Sequence, residues 1–469
     1  MSDKDLIDLR EIAPAEVGEV DLYQRREKIY TRKIEGFYQR IRLFSGWPLL
    51  LGYLLLPWMT WDGRQAVLFD LPERKFHILG LTFWPQDFPM LAFMLIIAAF
   101  ALFAVTTFAG RIWCGYTCPQ TVWTSIFMWL EQKTEGSRNQ RIKLDKAPWS
   151  LEKLAKKIAK HGSWLFVGLV TGITFVGYFY PIRDLIYEFA TLSPGNWELL
   201  WTLFFTLATY INAGWMREQV CTYMCPYARF QSVMFDQDTL IVSYDSKRGE
   251  PRGPRKRDLA HKDLEVGDCV ACELCVQVCP TGIDIRNGLQ FECIGCALCI
   301  DACDSVMDKM AYPRGLIRYT SEHALAGGKT HWLRPRVIGY VLVLCLMVGV
   351  FWYHVLTRVP LELSAMRDRD QLYLTTDSGA IENIYTLRLA NMDNDSHQFD
   401  ISIAGIAGAA IVGETSYNLD GGEVRTITLR VRVEPDALTR PSTNLDFIVV
   451  APSQPELRAT AESRFMKPL

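Results

Sequence analysis

The chain has 469 residues, 49% of them hydrophobic, and its 50 Lys and Arg against 52 Asp and Glu leave a formal net charge of -2. That balance says little by itself, because the charge is segregated by region, and the length predicts two to four domains. The apolar residues fall in long runs with few charges, as in a membrane protein that carries soluble parts.

In chain order, residues 1–42 form a polar cytoplasmic segment rich in Arg and Lys. No short apolar stretch with a small-residue cleavage site follows Met1, so the first apolar run is expected to remain as an anchor. A four-span membrane core is predicted over 43–235, with spans at about 43–61, 88–109, 162–180 and 196–215. A fifth span is predicted at 336–357. Lys and Arg crowd 1–43, 111–161 and 217–335, whereas loop 62–87 holds only Arg64, Arg74 and Lys75, and loop 181–195 only Arg183. The basic side is read as the cytoplasm, which puts the N-terminus inside and residues 358–469 outside. Two basic stretches are expected at the inner face. Residues 141–160, with Trp149, Leu154 and Ile158 among lysines, read as an amphipathic helix lying on the membrane. Residues 247–257 (KRGEPRGPRKR) read as a flexible linker drawn to anionic lipid.

Two stretches share the form C-x-Y-x-C-P: Cys114 to Cys118 before Pro119, and Cys221 to Cys225 before Pro226. Each follows an Ala-Gly pair, Ala109-Gly110 and Ala213-Gly214, so the first four spans look like a duplicated helix hairpin. Such repeats pack about a pseudo-twofold axis, which would bring both motifs to the cytoplasmic mouth. The prolines disfavour helix before them and suit a first helical position. Cys118 and Cys225 are therefore expected at helix starts, where the helix dipole favours thiolate. Four readings stay open: structural turns with buried thiols; disulfides, disfavoured in a reducing compartment; a third iron–sulfur cluster or a zinc ion; or copper. Thiolate and thioether select Cu(I), and Met216 and Met224 lie close in sequence.

Residues 236–335 hold a linker and the strongest signal. One run is Cys269-x2-Cys272-x2-Cys275-x3-Cys279-Pro280, and the other is Cys293-x2-Cys296-x2-Cys299-x3-Cys303-Asp304. Three cysteines at this spacing wrap one cubane cluster, and the fourth ligates the other cluster. Cys269, Cys272, Cys275 and Cys303 are thus assigned to one [4Fe-4S] cluster, and Cys279, Cys293, Cys296 and Cys299 to a second. Zinc would be satisfied in number by four cysteines, but this tandem spacing is not its usual paired-knuckle arrangement. Asp304 stands where the second proline of the pattern is expected. Cys345, inside the fifth span, reads as a small apolar packing residue.

Residues 358–469 change texture to short alternating runs with turn signals, predicting an antiparallel immunoglobulin-like sandwich without a disulfide. His397 reads as a solvated histidine in a polar turn. The expected fold is thus a multi-domain membrane protein with a five-span helical bundle, an α+β two-cluster ferredoxin-like domain and an all-β outer domain.

With the spans, CGYTCPQ, CTYMCPY, the paired cluster runs and the outer sandwich in this order, the chain from about residue 30 onward resembles the CcoG, FixG and RdxA/RdxB family of accessory proteins for cbb-type cytochrome c oxidase. The resemblance implies a bacterial inner-membrane polyferredoxin that reduces Cu(II) to Cu(I). It makes Cys114, Cys118, Cys221 and Cys225 the copper and catalytic candidates, with Met216 and Met224 as weaker ones. It implies a cytoplasmic electron donor, a copper chaperone or transporter and oxidase assembly components as partners; a homodimer is compatible with this reading, and no nucleic acid is expected. A quinol dehydrogenase resembling the NapH type and a non-catalytic assembly scaffold are the alternatives. The outer sandwich is not expected in the former.

Overall fold

A computed structural model describes residues 28–468 apart from 62, 256–265, 369–370, 377–378, 394 and 439. The chain divides into two compact units, Met1–Leu50 with Ala109–Gly168 and Thr206–Thr330, and Leu51–Phe108 with Leu169–Phe205 and His331–Leu469.

In the first unit, strands Ile241–Tyr244 and Ile317–Thr320 pair antiparallel, with Ile241 opposite Thr320. Helices Leu274–Gln277 and Leu298–Met310 lie between them in sequence. Ile285, Ile300, Met307, Leu316 and Ile317 form the core beneath. The two cysteine runs repeat in the backbone as well as in the sequence. Ala271 and Glu273 have φ of 48° and 55°, and Gly295 and Ala297 occupy the matching places at 65° and 60°. Asp304 is explained by helix continuation. The helix runs past Cys303 to Met310, and the Asp304 carboxylate accepts a hydrogen bond from the Gly315 N–H at 3.0 Å. Asp301, one turn earlier, accepts from the N–H groups of Tyr38 at 3.1 Å and Gln39 at 2.8 Å. Its negative charge thereby sits at the start of helix Phe37–Leu55, where the dipole favours it.

Residues 141–160 do not form one amphipathic surface helix. They are split between helix Arg138–Lys146 and the start of helix Leu151–Val176, which continues into the apolar stretch of the third predicted span. Arg141, Lys153, Lys157 and Lys160 turn inward, while Lys143 and Lys146 stay exposed. Arg141 is fully buried, and Lys157 and Lys160 reach Glu135 at 2.7 and 2.9 Å. The two carboxylates of helix Pro119–Glu135 hold these cations, while Trp149, Leu154 and Ile158 stay exposed. In 247–257, Arg248 is likewise tied down, to Asp268 at 2.5 Å; residues 256 and 257 lie outside the described ones.

In the second unit, strands Leu361–Arg367, Leu374–Thr375, Ile381–Asn391, Ala410–Val412 and Val424–Val433 form one sheet. Strands His397–Ala404, Ser416–Leu419, Ser442–Ala451 and Gln454–Met466 form the other. Tyr385, Leu387, Phe399, Leu429, Phe447 and Phe465 alternate inward to make the core between them. His397 is not solvated: it is 7% exposed, and its Nε2 lies 3.0 Å from the Asp393 carboxylate.

Among the described residues, three helices are long and apolar enough to cross a membrane: Pro85–Ala109, Asn196–Met216 and Pro335–Leu356. Leu91, Leu95, Leu342 and Leu346 stand exposed on two of them, a surface that suits lipid and not water. Cys345 lies on the same exposed surface of Pro335–Leu356 and is not packed inside the protein. The first and third predicted spans are helical, but helix Phe37–Leu55 carries Arg40 and Arg42 in its opening turns and Pro48 inside. Helix Leu151–Val176 begins among lysines.

Candidate metal centres

All eight ferredoxin cysteines face cavities. One is lined by Cys269, Cys272, Cys275 and Cys303. The other is lined by Cys279, Cys293, Cys296 and Cys299, and also by Cys275. The structure thus brings together the sulfurs that the spacing groups, in two small four-cysteine cavities of matching composition, which fits two like cofactors. Burial pushes the Cys275 thiol up to about 11 and those of Cys293 and Cys303 up to about 12. Binding iron as thiolates therefore displaces protons.

The two C-x-Y-x-C-P motifs lie in the same unit. Cys118 is the residue before helix Pro119–Glu135, and Cys225 stands before helix Pro226–Met234, both with the proline at the first helical position. The dipole does not make Cys118 acidic. Burial raises Cys118 even though backbone hydrogen bonds from Thr121 and Gln120 pull the other way. Burial also pushes Cys114 up to about 12 and Cys221 up to about 11. The thiols feel one another: the charges of Cys118, Cys221 and Cys225 each raise Cys114 further. Among the described residues, no three of the twelve motif sulfurs lie within 4.8 Å of one another. Tetrahedral zinc with bonds of about 2.3 Å would need sulfurs about 3.8 Å apart. The four-cysteine set is therefore more open than a preformed zinc site.

The first motif packs directly on the second cysteine cavity. A Cβ built on Gly115 would stand 2.9 Å from the Cys296 Cα and the Gly295 carbonyl oxygen. Cys114 packs beside Cys296 in a small core with Val278, Ile294 and Leu298. Tyr116 meets the Tyr319 hydroxyl at 3.2 Å, and Tyr319 donates to the Gly295 carbonyl at 2.5 Å. The second motif breaks the repeat. Its residues 220–224 form a wide turn, and Tyr223 and Met224 are 71% and 56% exposed. Met216 closes the preceding wide turn, Tyr210–Met216. Wide turns of this kind recur at functional sites.

Two arginines hold the halves together, each reaching across to the other repeat. Arg111, three residues before Cys114, donates to the Ala228 carbonyl in the helix after the second motif and to the Phe291 carbonyl at 2.6 Å. Arg217, four residues before Cys221, donates to Glu131 at 3.0 Å in the helix after the first motif. Arg141 meets the same Glu131 oxygen at 3.0 Å. Burial pushes Glu131 up, but the charges of Arg217 and Arg141 hold it below the ordinary carboxylate value. Cys114 donates to Gln231 at 3.3 Å, and Gly214 is pressed on Trp164, whose ring a Cβ there would approach to 2.9 Å. Arg111, Arg217, Glu131 and Gln231 were not singled out by the sequence reading. The available signal was an arginine just beyond each Ala-Gly pair, which the count of basic residues absorbed.

Comparison with known proteins agrees with this architecture. A 4Fe-4S dicluster domain matches residues 216–322, a 4Fe-4S binding domain matches 91–135, and the IG-like fold at the C-terminus of FixG matches 351–468. The nitrogen fixation protein FixG of Rhizobium meliloti is 38% identical over 457 residues, covering 89% of this chain and 86% of that one. Protein RdxA of Cereibacter sphaeroides is 40% identical over 418 residues, covering 85% and 87%. A crystal structure of a FixG-related protein from Vibrio parahaemolyticus covers 24% of this chain and 98% of its own, at 30% identity and a TM-score of 0.22. Fold and cysteine sets together define an iron–sulfur electron-transfer protein of the ferredoxin type with an immunoglobulin-like C-terminal domain. The chain belongs to the FixG family, with RdxA and RdxB.

Proposed function

We propose that this protein is a cupric reductase of the bacterial inner membrane, supplying Cu(I) for assembly of cbb-type cytochrome c oxidase. The observation that carries the reading is the seating of Gly115 on the Gly295–Cys296 backbone, which sets Cys114 against the second cysteine cavity. Copper itself follows from the family resemblance, and the chemistry of the site is compatible with it. Four thiols that feel one another suit a soft cation, and an open set can offer two of its sulfurs to Cu(I).

Cys269, Cys272, Cys275 and Cys303 would hold one [4Fe-4S] cluster, and Cys279, Cys293, Cys296 and Cys299 the other. When bound, such clusters supply one-electron storage. The chain's own residues do the rest. Arg111 and Arg217 fix the two motifs against each other. Burial keeps Cys114, Cys118 and Cys221 protonated until copper displaces the proton. Tyr116 and Tyr319 clamp the Gly295 loop beside Cys114. Cu(II) is the substrate and Cu(I) the product, retained by the cysteines until a chaperone or transporter takes it.

The reading also carries a topology of five spans, with residues 1–42 and the ferredoxin domain cytoplasmic and 358–469 periplasmic, where the sandwich meets oxidase assembly components. Replacing Cys114, Cys118, Cys221 and Cys225 together by serine tests it. Cupric reduction by the prereduced protein is lost while the visible cluster absorbance stays. Full activity in that variant would sink the assignment.

A further inference from the structure

Between helices Phe37–Leu55 and Pro119–Glu135 lies an open cavity of about 420 Å³, far larger than either cysteine-lined one. Trp47 and Leu50 form one wall, and Val122 and Trp129 the other. Its floor is Val278, Pro280 and Leu298, the immediate chain neighbours of Cys279 and Cys299. Arg42 lines this cavity and is only 7% exposed. Its guanidinium donates to the Ser125 hydroxyl at 2.8 Å, yet its Nε has no partner. Thr121, also in the lining, donates to the Cys114 carbonyl at 2.5 Å. Arg32 and Lys33, also in the lining, are exposed, and the Arg32 N–H donates to the Gln277 carbonyl at 2.8 Å, next to the floor.

The Cys296 and Cys279 sulfurs are near enough to act on the Arg42 charge, but a buried N–H left without an acceptor is costly unless a ligand supplies one. The ligand that fits needs a flat apolar body, a polar oxygen to accept from Arg42, and a reason to lie against redox cysteines. It must also enter beside a helix whose Leu43, Phe44 and Trp47 are exposed, as on a membrane-facing surface. A phospholipid meets the last condition but brings a phosphate to a single guanidinium already shared with Ser125. We infer that the cavity is a quinol site, and that a membrane quinol is the electron donor to this protein. Arg42 and Ser125 hold one quinol oxygen, and the ring lies over the Val278–Pro280 and Leu298 floor.

The acceptor rests on the function proposed above. One quinol and two Cu(II) give one quinone, two Cu(I) and two protons. Both quinol O–H bonds break, the electrons leave one at a time, and the protons pass to water beside Arg32 and Lys33.

The test uses the full-length protein in detergent with a fluorescent heptyl-hydroxyquinoline N-oxide, a quinol analogue. Its fluorescence is quenched on binding. Arg42→Gln removes the donor, and Gly46→Leu fills the cavity from the wall facing Val122, whose Cγ2 a Cβ there would meet at 3.4 Å. Each weakens binding about tenfold or more, the factor set by one charge-assisted hydrogen bond or comparable contact. Menadiol bleaches the cluster absorbance of wild type faster than that of either variant, while dithionite bleaches all three alike, which shows the clusters intact. Unquenched fluorescence, or equal quenching in wild type and both variants with intact clusters, overturns the inference. So does loss of a co-purified phospholipid in the variants with quinol-analogue binding unchanged. Bleaching by menadiol without Cu(I) formation would overturn the copper reading and leave this one standing. Dithionite-driven Cu(I) formation without analogue binding would do the reverse.

Discussion

Gly115→Ala perturbs the contact on which the account turns. The added Cβ would stand 2.9 Å from the Cys296 Cα, 2.9 Å from the Gly295 oxygen and 3.0 Å from the Cys296 nitrogen. All three are backbone atoms, so no side chain can rotate away, and Tyr319 holds the Gly295 carbonyl in place. Carbon–carbon contacts are comfortable at about 3.5–4.0 Å, so motif and loop must separate by roughly 0.6–1 Å. Overpacking of this kind costs about 1–3 kcal/mol. Alanine in a helix returns about 1 kcal/mol of that, leaving a net loss of up to about 2 kcal/mol. Gly162→Ala is the matched control, since it lies in helix Leu151–Val176 with nothing within 4 Å of its added Cβ. Two readings are taken on both variants: loss of cluster absorbance on slow heating, and the rate of cupric reduction. Gly115→Ala loses its absorbance at a lower temperature than wild type and reduces copper more slowly; Gly162→Ala does neither. Wild-type behaviour of Gly115→Ala in both measurements would refute the proposed packing path.

Other outcomes follow from the same geometry. Glu131→Gln leaves Arg141 and Arg217 without their shared carboxylate and costs about 3–5 kcal/mol, as breaking a buried pair does; thermal unfolding and limited proteolysis read it. Because the folded pKa of Glu131 is depressed, its stabilisation is present above the ordinary carboxylate value of 4.5 and is lost as pH falls below it. Protease resistance of wild type should therefore fall more steeply below pH 4.5 than that of Glu131→Gln. At Cys114 and Cys221, pushed up to about 12 and about 11, alkylation by iodoacetamide is slow at neutral pH and speeds up toward those values. Loading with Cu(I) releases protons, visible as a fall in pH in weak buffer. Fast neutral-pH alkylation at both positions would contradict their burial.

The legible parts of this molecule are those set by local chemistry. The spacing of eight cysteines foretold which sulfurs would face each cavity, because cluster loops are short and rigid in their demands. Pro119 and Pro226 foretold the helix starts, because a proline constrains its predecessor wherever it occurs. Alternation foretold the sandwich. What the pattern hid depends on distant partners. The lysines of 141–160 read as one membrane-surface face because Glu131 and Glu135, which hold Lys157 and Lys160, lie on another helix. The helix-start argument for thiolate failed at Cys118 because desolvation, a property of the whole fold, outweighs local hydrogen bonds. The crossed arginines, and the contrast of buried Tyr116 with exposed Tyr223, arise only once the duplicated hairpins meet the ferredoxin loop on one side. Asp304 was visible as a departure, but its role in prolonging a helix to Met310 was not.

Metal analysis of the full-length protein, with and without the four C-x-Y-x-C-P cysteines, tests the central claim most directly. The account predicts about eight iron atoms in both, from two four-iron clusters. It predicts Cu(I) retained against a competing chelator by the wild type and lost when Cys114, Cys118, Cys221 and Cys225 are serine. Iron near twelve in the wild type, falling to about eight in the variant with no cysteine-dependent copper, would contradict it and assign these cysteines to a third cluster.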